Sequence, residues 1–220
     1  MRFGSWKMRD RMQDRILGRS HRQRIFARIH ARNLWGDPES RSGSGSSAAM
    51  TEALRRGLPA LFKRQGVRVL LDAPCGDFLW MKGLAGGLDR YIGVDIVPDL
   101  VARNTEAYGR GNVSFLCADI SVDPLPSADM ILCRDCLIHL PLRTLLGVLR
   151  NFRACGARHL LLTSDDAAGP YRDIPIGSFR SIDFMRAPFS FPEPLERIRE
   201  DGSESRQLCL WDLRTLPLPG

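Results

Sequence analysis

Between residues 69 and 163 short apolar runs alternate with stretches of helical periodicity, and this alternation constrains the fold more than any other feature of the chain. The runs fall at 69–71, 91–96, 113–120, 129–133 and 159–163, each of the length and make-up of a strand covered on both faces. Pro98 opens one intervening helix. Pro141 opens another, which carries the stripe Leu142, Leu145, Leu146, Leu149 and Phe152 and ends at Gly156. Strands joined by helices of this length form βαβ units with right-handed crossovers. The expected fold class is therefore α/β: a Rossmann-like, mostly parallel sheet with helices on both faces, which binds ligands at the carboxyl ends of its strands.

Residues 69–81, VLLDAPCGDFLWM, are the centre of that arrangement. Val69, Leu70 and Leu71 enter the sheet, Asp72 ends the strand, and Pro74 and Gly76 punctuate a tight turn. Phe78, Leu79, Trp80 and Met81 read as the start of a helix whose first amides point into the crevice. Acids stand at three successive strand ends. Asp72 ends the first, Asp95 follows Gly76 at the spacing of a carboxylate that accepts from ribose hydroxyls, and Asp119 ends the third. Asp119 can accept from an exocyclic amine such as that of adenine, and the Ile120 amide can serve a ring nitrogen.

Charge is concentrated at the amino end. Residues 1–33 hold nine Arg and Lys7 against Asp10 and Asp14, whereas the whole 220-residue chain has a net charge of +7, so the remainder is nearly neutral. Met8, Met12, Ile16, Ile25, Phe26 and Ile29 recur at helical spacing, and Ser20 with Gln23 has the form of a capping box dividing two helices. Such a basic arm suits phosphates, an anionic membrane surface or a polyanionic acceptor, or simply lies over the domain. Residues 34–47, LWGDPESRSGSGSS, have a loop composition. They form either a linker or a lid over the crevice, in which Arg41 and Ser44 meet a carboxylate. Leu54, Leu58, Leu61 and Phe62 then form a helical stripe through Gly57 and Pro59, where a kink or break is expected. The chain divides into a basic helical arm at 1–33, a Gly/Ser loop and lead-in helix at 34–66, and a catalytic domain at 67–220.

With no apolar run of membrane-spanning length and no secretory leader, a soluble cytoplasmic protein is expected. The six cysteines lie mostly in strand-like stretches and read as reduced core residues. Cys133 and Cys136 form a CxxC, but no further pair completes a zinc set, so no metal is expected.

LLDAPCGDF, YIGVDI, FLCADI and ADMILCRDCLIHLP, in this order, resemble the successive motifs of the class I S-adenosylmethionine-dependent methyltransferases. The similarity is closest to a largely uncharacterised group among them that carries W…SRSGSGS, DAPCGDFxWM, RDCLxHL and a later G…PFxFPxP, and it covers residues 34–215. The chain departs from the usual glycine-rich turn at Pro74 and Phe78, keeping only Gly76. The resemblance implies S-adenosylmethionine as cofactor. Asp72, Ala73, Cys75 and Gly76 line its methionine part, Asp95 and Ile96 its ribose, and Asp119 and Ile120 its adenine. Cys133 and Arg134 face the sulfonium, with Arg41 and Ser44 contributed by the loop. It also implies a seven-stranded sheet in which 207–213 is an antiparallel last strand with a shorter partner near 195–199.

Methyl transfer from a sulfonium is an in-line displacement governed mainly by alignment, and a base is needed only when the acceptor must lose a proton. His139 and Asp135 are the candidates: four residues apart, they fall on one face of a helical turn, where Asp135 would orient the imidazole. Residues 164–194 are too long for a simple connection and should recognise the acceptor. Asp173, Arg180 and Asp183 are the polar candidates there, and Phe184, Phe189 and Phe191 would wall an apolar pocket. The related group tends to have Asn near Tyr171 and Asp183, and this chain lacks both. The expected activity is methyl transfer to a small-molecule or glycan acceptor at oxygen. The alternatives are an RNA or protein methyltransferase using the basic arm, and a non-catalytic nucleotide-binding or scaffold protein on the same fold. A nicotinamide-dependent dehydrogenase ranks low without G-x-G-x-x-G.

Overall fold

The computed structural model describes residues 4–217, with side chains from residue 18 onward. Its elements, in chain order, are α1 (Gly4–Ala31), α2 (Glu52–Arg64), β1 (Val69–Asp72), β2 (Arg90–Asp95), α3 (Pro98–Tyr108), β3 (Val113–Cys117), β4 (Met130–Cys133), α4 (Leu142–Ala154), β5 (His159–Asp165), β6 (Glu196–Arg199) and β7 (Arg206–Asp212). The seven strands form one sheet in the order β3-β2-β1-β4-β5-β7-β6. Strands β1 to β5 pair in parallel, and β7 runs antiparallel to both β5 and β6. The order reverses between β1 and β4, so a crevice opens at the carboxyl ends of those two strands.

The alternation of side chains along each strand builds two cores. Leu71, Leu160, Leu162 and Trp211 face the layer that contains Leu145, Leu149 and Phe152 of α4. Leu70, Leu161, Leu208 and Leu210 face Leu54, Leu58 and Leu61 of α2. Burial on both faces accounts for the unbroken apolar runs of β1, β4 and β5. No helix among the described residues is long and apolar enough to cross a membrane.

Four local expectations are corrected. No α-helix opens from the turn after β1; only a single 3-10 turn, Ala85–Gly87, precedes β2. Gly76 and Phe78 both take positive φ, 53° and 61°, a left-handed backbone that cannot propagate a right-handed helix. The segment runs instead through turns, with the Leu79 amide donating to Asp77 Oδ1. Phe78 is buried and packs against Tyr91, Tyr108 and Phe115. Secondly, α1 is one helix through Ser20 and Gln23, with no division at the capping box. Its proposed apolar stripe at Met8, Met12 and Ile16 lies outside the described side chains. Thirdly, α2 continues through Gly57 and Pro59, held by its four buried apolar residues and by Gly57, where an added Cβ would lie 3.3 Å from Ile198. Finally, β3 stops at Cys117, so Asp119 lies in the loop beyond the strand.

Candidate functional site

Asp72 and Asp95, at the ends of adjacent strands, are both buried in the floor of a cleft of about 1020 Å³, measured with its open mouth. Tyr91 donates its hydroxyl to Asp72 Oδ2 at 2.5 Å. Burial nevertheless raises the Asp72 carboxyl to about 7, helped by the neighbouring charge of Asp95 and opposed by Tyr91 and Arg134. Asp95 accepts from the Gly76 amide at 3.2 Å and the Val97 amide at 3.0 Å, fixing the turn after β1 to the turn after β2. Burial raises it to about 6, against the pull of those amides.

The Gly/Ser loop closes onto this turn. Ser40 Oγ donates to Asp77 Oδ2 at 2.7 Å, and the Asp77 amide donates to Ser42 Oγ at 3.0 Å. The backbones approach so closely that a Cβ on Gly76 would overlap Ser42 Oγ, and one on Gly45 would lie 2.6 Å from Asp135 Oδ2. Arg41, Ser42 and Ser46 line the cleft. The loop is thus a lid rather than a linker.

Beyond β4, Arg134 is buried in an ion pair with Glu200 at 2.7 Å, which Arg206 Nε also joins at 3.0 Å, while Trp80 lies under the guanidinium at 5.5 Å. Asp135 takes φ 50° and donates its amide to Thr163 Oγ1. Its Oδ1 is buried without a partner among the described residues. Asp135 does not orient His139, as the four-residue spacing had suggested. The left-handed turn at Asp135 breaks the helical register, and His139 Nδ1 lies instead 2.8 Å from the carbonyl of Ser178. A carbonyl can only accept, so Nδ1 carries the proton of the neutral ring and Nε2 is left as the basic nitrogen. Burial lowers the His139 pKa, partly offset by the Ser178 bond. Trp35 stacks on the ring at 5.0 Å and Phe179 flanks it at 6.0 Å.

The roof comes from α1. Arg22, Phe26 and His30 recur every fourth residue and all line the cleft. Arg22 Nε donates to Asp119 Oδ2 at 2.7 Å, and Arg19 pairs with Asp123 at 3.0 Å. Asp119 Oδ1 accepts from the amide and hydroxyl of Ser121.

Of the residues singled out from the sequence, Asp72, Cys75, Gly76, Asp95 and Ile96 meet in this cleft with Asp119, Ile120, Arg41, Arg134, Asp135 and His139. Ala73 and Cys133 do not line it: both are fully buried, because the alternation along β1 and β4 turns them into the core. Ser44 also lies off the cleft wall, and Ser42 and Ser46 stand there in its place. Phe184, Phe189 and Phe191 form no pocket; they pack on one another and on Trp211 in the core. Asp173 receives the amide of Leu142 at the start of α4, Asp183 receives that of Met185, and Arg180 lies over Tyr171 at 4.8 Å. The sequence reading missed Arg22, Phe26, His30, Trp35 and Trp80. For the first three a signal existed, the four-residue repeat on α1, but it mixes a charge, an aromatic ring and an imidazole and so carries no apolar stripe.

Comparison with known proteins agrees with this architecture. Residues 71–155 match the family model described as methyltransferase domain. The fold is similar to that of 1,6-didemethyltoxoflavin-N1-methyltransferase from Burkholderia thailandensis, solved with bound 1,6-didemethyltoxoflavin and S-adenosylhomocysteine (21% identity, 86% of this chain and 84% of that one, TM-score 0.57). It is similar also to the Synechocystis PCC 6803 magnesium protoporphyrin IX methyltransferase with bound S-adenosylhomocysteine (17%, 90% and 98%, 0.56). Human N-acetylserotonin methyltransferase, solved with S-adenosylmethionine, shares 16% identity over 74% of this chain (TM-score 0.55); the match spans 52% of the human chain, about half its length. No curated protein sequence matches this one. Residues 71–155 are thus similar to a methyltransferase domain, and the seven-stranded sheet in which they lie shares its fold with these solved methyltransferases.

Proposed function

We propose that this chain is an S-adenosylmethionine-dependent methyltransferase that alkylates a hydroxyl of a small-molecule or glycan acceptor. The observation that carries the reading is one cleft holding the strand-end carboxylates Asp72 and Asp95 and the loop carboxylate Asp119 together with a histidine whose tautomer is fixed by a backbone carbonyl. The residues present fit the cofactor. Gly45 and Gly76 let the Gly/Ser loop seat against Asp135 and the turn after β1 at the edge of the cleft, and Asp135 Oδ1 and Arg22 Nη2 are buried polar atoms still lacking partners among the described residues. When bound, the cofactor supplies a methyl group on an electrophilic sulfonium.

Asp95 accepts from the ribose hydroxyls, since each of its oxygens can take a second hydrogen bond beside the amide it already holds. Asp119 and the Ile120 amide receive the adenine. Asp72 and Asp135 offer carboxyl oxygens to an ammonium, and Arg41 and Arg134 offer positive charge to a carboxylate. His139 Nε2 takes the proton of the acceptor hydroxyl, and Trp35, stacked on the imidazole, covers one of its faces.

A labelled-methyl assay over hydroxylated small molecules and glycans tests the reading. The His139→Ala variant should lose about 100-fold or more in kcat while binding S-adenosylhomocysteine normally. Undiminished turnover in that variant would remove His139 as the base. A polyanionic acceptor is the second reading, favoured by exposed Arg24 and Arg28 on the outer side of α1 and exposed Arg32 just past its end. It predicts acceptor binding that weakens steeply with salt, whereas the first reading predicts little dependence.

A further inference from the structure

Arg22 has one hand on the cleft and one hand empty. Its side chain is 12% exposed, its Nε donates to Asp119 Oδ2, and its Nη2 is buried with no hydrogen-bond partner among the described residues. A buried charged donor left unpaired is costly, so a ligand acceptor at this point is favoured. We propose that α1 is a working part of the cofactor site and that Arg22 reads the adenine, donating from Nη2 to N7 while its Nε holds Asp119. The inference rests on the cofactor reading above.

The base has one arrangement that uses every open group. Asp119 Oδ1 is already occupied by the amide and hydroxyl of Ser121, at 2.9 and 2.6 Å, whereas Oδ2 accepts from Arg22 and has room for one donor more. The exocyclic amine of adenine is that donor. N1 and N7 flank the amine on either side. The Ile120 amide, in the cleft wall and without a partner among the described residues, suits N1. That leaves N7 on the other flank, beside the Arg22 guanidinium. Phe26, one helical turn further on, continues the roof. The Arg19–Asp123 pair at 3.0 Å anchors α1 to the same loop, so the roof is held independently of Arg22.

The test is calorimetric titration with S-adenosylhomocysteine and with its 7-deaza analogue, in which carbon replaces N7. Wild type should bind the analogue about tenfold or more weakly, the value of a charged hydrogen bond. Arg22→Met should bind both ligands with equal, reduced affinity. Arg19→Met, which disturbs the roof without touching the base, should keep the discrimination. Equal affinities of wild type for the two ligands would overturn the proposal without recourse to any variant. So would discrimination that survives in a folded Arg22→Met, or tighter binding by it, which would make the Arg22–Asp119 pair a latch competing with the ligand. Failure of wild type to bind S-adenosylhomocysteine at all would instead overturn the cofactor reading, and this inference with it.

Discussion

At the scale of single residues, the cleft keeps carboxylates in a state they do not hold in water. Asp72, raised to about 7, and Asp95, raised to about 6, stay protonated in the folded chain over a pH range in which the unfolded chain has released both protons. The folded state therefore binds more protons than the unfolded one, and stability falls as pH rises, from about pH 4 to about pH 7. Denaturation of the ligand-free protein across that window should show the decline, and Asp72→Asn should flatten it. A decline of equal slope in the variant would assign the effect elsewhere. His139 shifts the other way. Its lowered pKa keeps Nε2 basic through neutral pH, so kcat should be flat there and drop only in acid, below the ordinary histidine range. Asp72 and Asp95 were legible as strand ends because a strand's end can be read from where its apolar run stops, whereas β3 stops at Cys117, short of Asp119. The partner of His139 was not, since Ser178 arrives from 39 residues away on a loop with no periodicity.

At the scale of elements, the strands could be read and the turns could not. Burial on both faces leaves an unmistakable apolar run, so β1, β2, β4 and β5 fell within a residue or two of their expected limits, while β7 was expected only from the family resemblance. The turn after β1 was misread as a helix because Phe78, Leu79, Trp80 and Met81 suit either conformation, and the aromatic cluster that receives Phe78 at its positive φ comes from distant segments. Gly76 is where that turn is most constrained, by a φ of 53° and by Ser42. Gly76→Ala should cost about 1–3 kcal/mol in denaturant unfolding and weaken S-adenosylhomocysteine binding as the lid is pushed away. An unchanged midpoint and affinity would show that the lid does not seat as described. The same limit applies to α1. Its charge and its helical character were evident, but its docking depends on Asp119 and Asp123, about 100 residues distant, and no local pattern encodes that pairing.

At the scale of the whole molecule, the cleft is assembled from the ends of β1, β2 and β4, the Gly/Ser lid and the α1 roof, so ligand binding should stabilise the fold as a unit. At a concentration 100-fold above Kd, S-adenosylhomocysteine should add about 2.7 kcal/mol and raise Tm by about 5–10 °C. The alternation of strands and helices made the carboxyl edge of the sheet legible as the place of such a cleft, whereas the switch in strand order between β1 and β4, and the meeting of Trp35, His139 and Phe179 across three separate segments, were not. The most direct test of the account is calorimetric titration of the full chain with S-adenosylhomocysteine, beside an Asp95→Ala variant verified as folded by circular dichroism. The account predicts one-site binding in the micromolar range that the variant loses. A folded wild-type protein that binds nothing would contradict it.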